Sequence, residues 1–245
     1  MTPDDLDAKL LFAVDPVYKA FGDKLQPGIT DRLGVRMPTV RALVKEILKE
    51  NPLGYLEAVF ERGRPFVSQE ALMVATIVAG NLKHVPDDVY WANIDRLLPH
   101  MTGWATCDLM GSAVKRFRVN PSRYLPYLAS KLASDNPWSV RTAEVWLLEH
   151  YRTEEGALMA LAALDNPNAR ALTLAASGDY YLSMALAWCL SMLATVNPEA
   201  VYVQMEAWRK AGRLDDETCL RTVRKIRESL QFTRDAKDAV KRRFE

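Results

Sequence analysis

The residues best placed to do chemistry lie between Thr102 and Phe117. At about 100° per residue, Leu109, Met110, Ala113, Val114 and Phe117 gather into one arc, which is the predicted packed face of a helix. Trp104, Asp108, Gly111 and Lys115, at i, i+4, i+7 and i+11, fall in a narrow stripe on the opposite side. A large aromatic one turn from a carboxylate, beside a glycine that leaves room and a lysine able to meet an anion, has the makings of a working surface. The same spacing is equally served by packing on a neighbouring helix pair, with Asp108 and Lys115 in ordinary surface contacts.

Two further segments carry unusual side chains. From Asp179 to Leu193 the chain is apolar nearly all round, which predicts a helix flanked on both sides. Leu182, Leu186, Leu190 and Leu193 form one ridge, while Tyr181, Met184, Ala185 and Trp188 lie opposite and, taken alone, are expected to be core. From Asn136 to Leu148, Arg141 shares its side of a helix with Glu144, Val145 and Leu148, so its guanidinium is expected to be partly buried. A buried guanidinium needs a partner, and both Glu144 at i+3 and a phosphate held through the bidentate fork would serve.

Other chemistries are disfavoured by residue usage. Cys107, Cys189 and Cys219 are odd in number and lack any C-x-x-C pairing, and His84, His100 and His150 are scattered. Neither a disulfide framework, a zinc site nor a Ser-His-Asp triad is indicated, so no metal or cofactor is expected and carboxylates or aromatics must carry any reaction. No stretch supplies the roughly 18 apolar residues of a membrane span, and Met1-Thr2-Pro3-Asp4-Asp5 is acidic where a signal peptide is basic. A soluble, cytoplasmic protein is expected.

The elements that must position these residues are helices. Asn51-Pro52, Asn120-Pro121, Asn136-Pro137, Asn166-Pro167 and Asn197-Pro198 each precede an Ala- and Leu-rich segment. Asn caps free N–H groups, and Pro at the first helical position lacks the N–H that would need a partner. Met37-Pro38, Arg64-Pro65 and Val85-Pro86 are weaker versions of the signal. Between the marks run segments of about 12 to 17 residues with none of the alternation that calls for a sheet. The expected fold is all-α: about a dozen helices in one domain over residues 1–245, stacked as HEAT-type repeats with a concave face, a globular bundle being the alternative.

In this setting the chain resembles the AlkD-like family of HEAT-repeat DNA glycosylases, which release cationic N3- and N7-alkylated purines. The resemblance is carried by Trp104 and Asp108 as W-x-x-x-D, Trp138 and Arg141 as W-x-x-R followed by Ala143, and Trp188 within Met184-Ala185-Leu186-Ala187-Trp188. Gly34-Val35-Arg36-Met37-Pro38 with Arg41, and Lys225-Ile226-Arg227-Glu228-Ser229 with Lys237, extend it over most of the chain from about residue 30. It implies that Asp108 is the catalytic carboxylate, Trp104 and Trp188 the aromatic walls against the lesion's deoxyribose, and Arg141 a ligand of the DNA backbone. Lys115, Tyr181 and Arg36 are the further expected DNA contacts, and the expected partner is double-stranded DNA with alkylated bases, gripped by its backbone with the lesion base largely outside a pocket.

Two departures stand out. Ala105-Thr106-Cys107 separates Trp104 from Asp108 where better-known members have an acidic residue next to the Trp, and no residue between Phe21 and Gly28 matches the family's N-terminal Tyr. The competing expectations are a non-catalytic helical-repeat protein that binds distorted or branched DNA, and a protein-binding scaffold. A formal net charge of +1, from 32 Lys and Arg against 31 Asp and Glu, argues against a charge-driven DNA coat. The charge is unevenly spread: nine basic residues between Arg221 and Arg243 face only Glu228, Asp235 and Asp238. Modest affinity with a shallow salt dependence, by a monomer, follows as the expectation.

Overall fold

The computed structural model describes residues 1–244, and among them there is no strand. No helix is long and apolar enough to cross a membrane among the described residues. The chain divides into two compact units, Met1–Val114 and Lys115 onward. The first holds α1 (Pro3–Phe12), α2 (Pro16–Leu25), α3 (Met37–Lys49), α4 (Pro52–Glu61), α5 (Gln69–Gly80), α6 (Asp87–Leu97) with a short 3-10 turn after it, and α7 (Trp104–Ala113). The second holds α8 (Arg116–Val119), α9 (Pro121–Leu132), α10 (Pro137–His150), α11 (Glu154–Asp165), α12 (Ala171–Ala175), α13 (Tyr180–Leu193), α14 (Pro198–Lys210), α15 (Asp216–Glu228) and α16 (Arg234–Phe244).

Local chemistry sets most of the starts. Asn51, Asn120, Asn136 and Asn197 each accept a backbone N–H of the following turn, with Pro at the first helical position. Asn166-Pro167 behaves differently. Asn166 ends α11, and its side chain accepts from the Asn168 N–H to close a turn. The chain there is steered by a tertiary bond, Arg170 N–H to the Leu132 carbonyl at 2.8 Å, so the Asn caps a turn and not a helix. Arg64-Pro65 likewise lies in a loop, α5 being capped by Ser68.

In the first unit α5 is buried on almost every side, with α1, α3, α4, α6 and α7 packed around it. In the second, α10 and α13 pack on each other and are wrapped by α9, α12 and α15. The core of the second unit includes the fully buried Phe117, Trp146, Leu186 and Leu190.

α2 is seated by polar groups instead. Its only buried residue is Gly22, and the Arg32 guanidinium lies against that glycine while donating to the Tyr18 and Lys19 carbonyls. Arg32 also pairs with Asp23. A Cβ at residue 22 would fall 1.8 Å from the guanidinium, which three partners hold in place. Gly22→Ala is therefore expected to destabilise the protein by about 1–3 kcal/mol, the ordinary cost of overpacking. A lower urea midpoint together with faster amide exchange in α2 would show it.

Candidate functional site

α7 is set by its contact with α5. Cys107, Met110 and Ala113 are fully buried, while Trp104, Asp108 and Leu109 are half-buried on another side. One helical turn separates the Trp104 and Asp108 side chains, as their spacing predicts. The longer stripe is not formed. The helix stops at Ala113, the backbone turns at Val114 (φ −83°, ψ 86°), and Lys115 is an exposed residue capping α8. Gly111 is buried, and Leu109 belongs to the open side and not to the packed arc. Val114 and Phe117 are apolar residues that bury themselves by leaving the helical path, which removes Lys115 from it.

Trp104 and Asp108 stand in the wall of a 360 Å³ cavity within the first unit. α2 contributes Tyr18, Phe21 and Leu25, α3 contributes Met37 and Arg41, and α5 contributes Met73. The Trp104 indole N–H donates to the Leu25 carbonyl at 3.1 Å, fixing the ring against the end of α2. Trp104→Phe, which keeps a ring but loses that donor, is expected to lower stability by about 1 kcal/mol in urea unfolding.

Two charges in the wall are committed to structure. Glu70 is buried and accepts from the Leu33, Gly34 and Val35 N–H groups at 2.9, 2.7 and 3.1 Å. Arg32 is the seat of α2 described above. Tyr18 has the Arg32 and Arg36 guanidiniums at 5.3 and 5.1 Å from its ring centre. Arg36 is exposed and donates through Nε to Asp15 at 2.8 Å. The Tyr18 backbone N–H, and then the Arg36 side chain, hold the Asp15 carboxyl below its ordinary range. Arg41 is an exposed cation on the cavity wall.

In the second unit Arg141 is more deeply buried than its sequence position suggests, at 3% exposure, and donates to the Tyr181 carbonyl at 2.5 Å. It ties α10 to the first turn of α13. Glu144, 2% exposed, has its carboxyl pushed well above the usual range by burial, with Arg141 opposing the shift. Burial, reinforced by Glu144, also raises the Cys189 thiol, so neither group is an ordinary surface ion. Of the face of α13 expected to be core, Ala185 is buried and the three large side chains are covered only in part. Tyr181, Met184 and Trp188 are half-buried at i, i+3 and i+7, while the Leu182, Leu186, Leu190 and Leu193 ridge is buried. α13 packs against α10, α12 and α15, and these three side chains keep part of their surface exposed. Next to them, Tyr180 is exposed with Arg221 of α15 at 5.0 Å from its ring.

The structure thus brings Trp104 and Asp108 together in the first unit and Arg141 and Tyr181 together in the second. The sequence reading missed Tyr18, Phe21 and Leu25, which share the cavity wall with Asp108. Their signal was present as the i, i+4, i+8 spacing of Val17, Phe21 and Leu25, an apolar stripe on a short helix. Among the described residues no group of three or more His, Cys, Asp or Glu side chains is arranged to hold a metal ion.

The family model described as "DNA alkylation repair enzyme" matches residues 18–214, and the chain belongs to that family. No curated protein and no solved structure matches the chain.

Proposed function

We propose that the protein is a DNA glycosylase that releases cationic N3- or N7-alkylated purines from duplex DNA. The observation that carries this is the pairing of Asp108 with Trp104 at the cavity, in a family defined by DNA alkylation repair. An alkylated purine that bears a positive charge is already a good leaving group. Its glycosidic bond breaks toward an oxocarbenium-like sugar without a general acid, so one carboxylate suffices. Asp108 stabilises the positive sugar and orients the attacking water. The Trp104 indole adds a cation–π attraction that grows as charge develops. Trp188 and Tyr181 supply the aromatic surface that the resemblance assigns to the sugar and backbone, Lys115 is an exposed cation available to phosphate, and Arg36, paired with Asp15, meets phosphate through the rest of its guanidinium.

Arg141 acts here mainly through the Tyr181 carbonyl, which sets the first turn of α13 and hence the stripe that carries Trp188. The chain works as one helical-repeat protein without a cofactor, and as a monomer.

The test is single-turnover release of N7-methylguanine and N3-methyladenine from methylated duplex. Release by the wild-type protein supports the activity. Duplex binding without release of either base would instead identify a DNA-binding protein, and failure to bind any duplex at low salt a scaffold. Trp104→Ala and Trp188→Ala are each expected to slow release about tenfold, the loss of one cation–π contact in a partly dry site. Full activity in both would remove the indoles from the mechanism.

A further inference from the structure

α2 is amphipathic in the wrong sense for a helix that only supports the fold. Helices bury their apolar stripe, yet here Val17, Phe21 and Leu25 are 79%, 59% and 48% exposed while the polar side is anchored. The anchoring is extensive. Arg32 holds the Tyr18 and Lys19 carbonyls and pairs with Asp23, and the Asp15 N–H donates to the Gly34 carbonyl. Residue 34 also presses on Lys19 so closely that a Cβ there would meet its backbone at 2.7 Å, and its φ of +86° is a glycine conformation. So α2 is fixed with its apolar side outward. A contiguous apolar surface held open in this way marks a place of contact.

Its position says with what. Phe21 and Leu25 stand in the same cavity wall as Trp104 and Asp108, and the Leu25 carbonyl is bonded to the Trp104 indole. The stripe therefore begins at the candidate catalytic carboxylate and runs outward along α2 to Val17. Lys24 on the same helix and Arg41 in the cavity wall are both exposed cations, suited to the phosphates that flank any base brought there.

We propose that α2 is an apolar wedge for damaged duplex, with Phe21 stacking on a nucleobase unstacked at the lesion and Val17 and Leu25 covering its edges. The proposal rests on the glycosylase reading for its geometry, since that reading places the lesion at Asp108. Inserting apolar side chains at a base step is an established way to open DNA, and stacking on an aromatic ring is tolerant of which base is presented. A wedge at the cavity would make release depend on a residue that touches neither the sugar nor the attacking water.

The experiment uses a duplex with 2-aminopurine next to a single N7-methylguanine, and reads both 2-aminopurine emission on binding and the rate of base release. Wild type and Asp108→Asn are expected to raise the emission. Phe21→Ala should abolish most of that rise and slow release about tenfold, as loss of one stacked aromatic implies, with affinity for undamaged duplex within about twofold. Phe12→Ser, at an exposed position on α1 outside the cavity wall, should leave both signals unchanged. Phe12 and Phe21 are exposed and Asp108→Asn keeps the shape of its side chain, so the variants fold.

Phe21→Ala matching wild type in emission and rate, with release intact, overturns the wedge and leaves the glycosylase standing. An emission rise lost in Phe21→Ala, without release by wild type, upholds the wedge and overturns the glycosylase. No binding of damaged duplex by wild type overturns both. A wild-type dimer in sedimentation that Val17→Lys dissociates, with no change in the DNA signals, makes the stripe a contact between two copies of the chain and also overturns the wedge.

Discussion

Asp108→Asn is expected to slow release of N7-methylguanine about a hundredfold while leaving duplex affinity nearly unchanged. The substitution keeps the shape of the side chain on α7 and its place beside Trp104, and removes only the negative charge. A preorganised charge aimed at a developing oxocarbenium contributes on the order of 3 kcal/mol to the barrier, which is the hundredfold. Binding, by contrast, depends on cations and backbone contacts that the substitution does not touch. The pattern to look for in single-turnover kinetics is a fall in the rate constant with an unchanged half-saturation concentration. Equal rates in the two proteins would remove Asp108 from the chemistry. A parallel consequence is that neutral bases, which need a proton to leave, should not be released by either protein, because no general acid is invoked.

Glu70→Ala is expected to be the most destabilising single change near the site, by about 3–6 kcal/mol. The carboxyl is buried and takes three successive N–H donors from the Leu33–Val35 loop. Truncation leaves the buried Gly34 and Val35 donors without an acceptor away from water, at about 1–3 kcal/mol each, and costs the part-buried Leu33 donor its acceptor as well. It also loosens Gly34, whose carbonyl accepts from Asp15 at the start of α2. Glu70→Gln should cost less, because the amide oxygen can still accept from the loop while its NH2 group faces donors. Urea unfolding of the three proteins checks the order, and a Glu70→Ala midpoint equal to wild type would contradict it. The protein that folds should also release base more slowly, since α2 forms one wall of the cavity and is seated through this loop.

Features legible in the sequence were those that one helix decides by itself. The spacing of Trp104 and Asp108 put them one turn apart whatever the rest of the chain did, because i and i+4 share a face in any α-helix. Asn51, Asn120, Asn136 and Asn197 capped their helices through bonds to residues two or three positions away, and the absence of alternation excluded a sheet among the described residues. The family, too, was carried by such local motifs, and its model covers residues 18–214.

Burial was decided by partners far along the chain. Lys115 left the Trp104 stripe because Val114 and Phe117 found apolar neighbours by turning out of the helix. Tyr181, Met184 and Trp188 on α13 stayed half-buried while the leucine ridge was covered, a choice no periodicity records. Arg141 sank to the Tyr181 carbonyl, forty residues away, where the sequence left Glu144 and a phosphate as equal partners. The outward apolar stripe of α2 followed from Arg32 claiming its polar side, beside a loop that Glu70 holds in place. The sequence alone determined which helices form and which side chains share a turn, since these follow from bonds within a few residues. Only the tertiary structure decided which faces are covered, since that depends on which distant surface fits them.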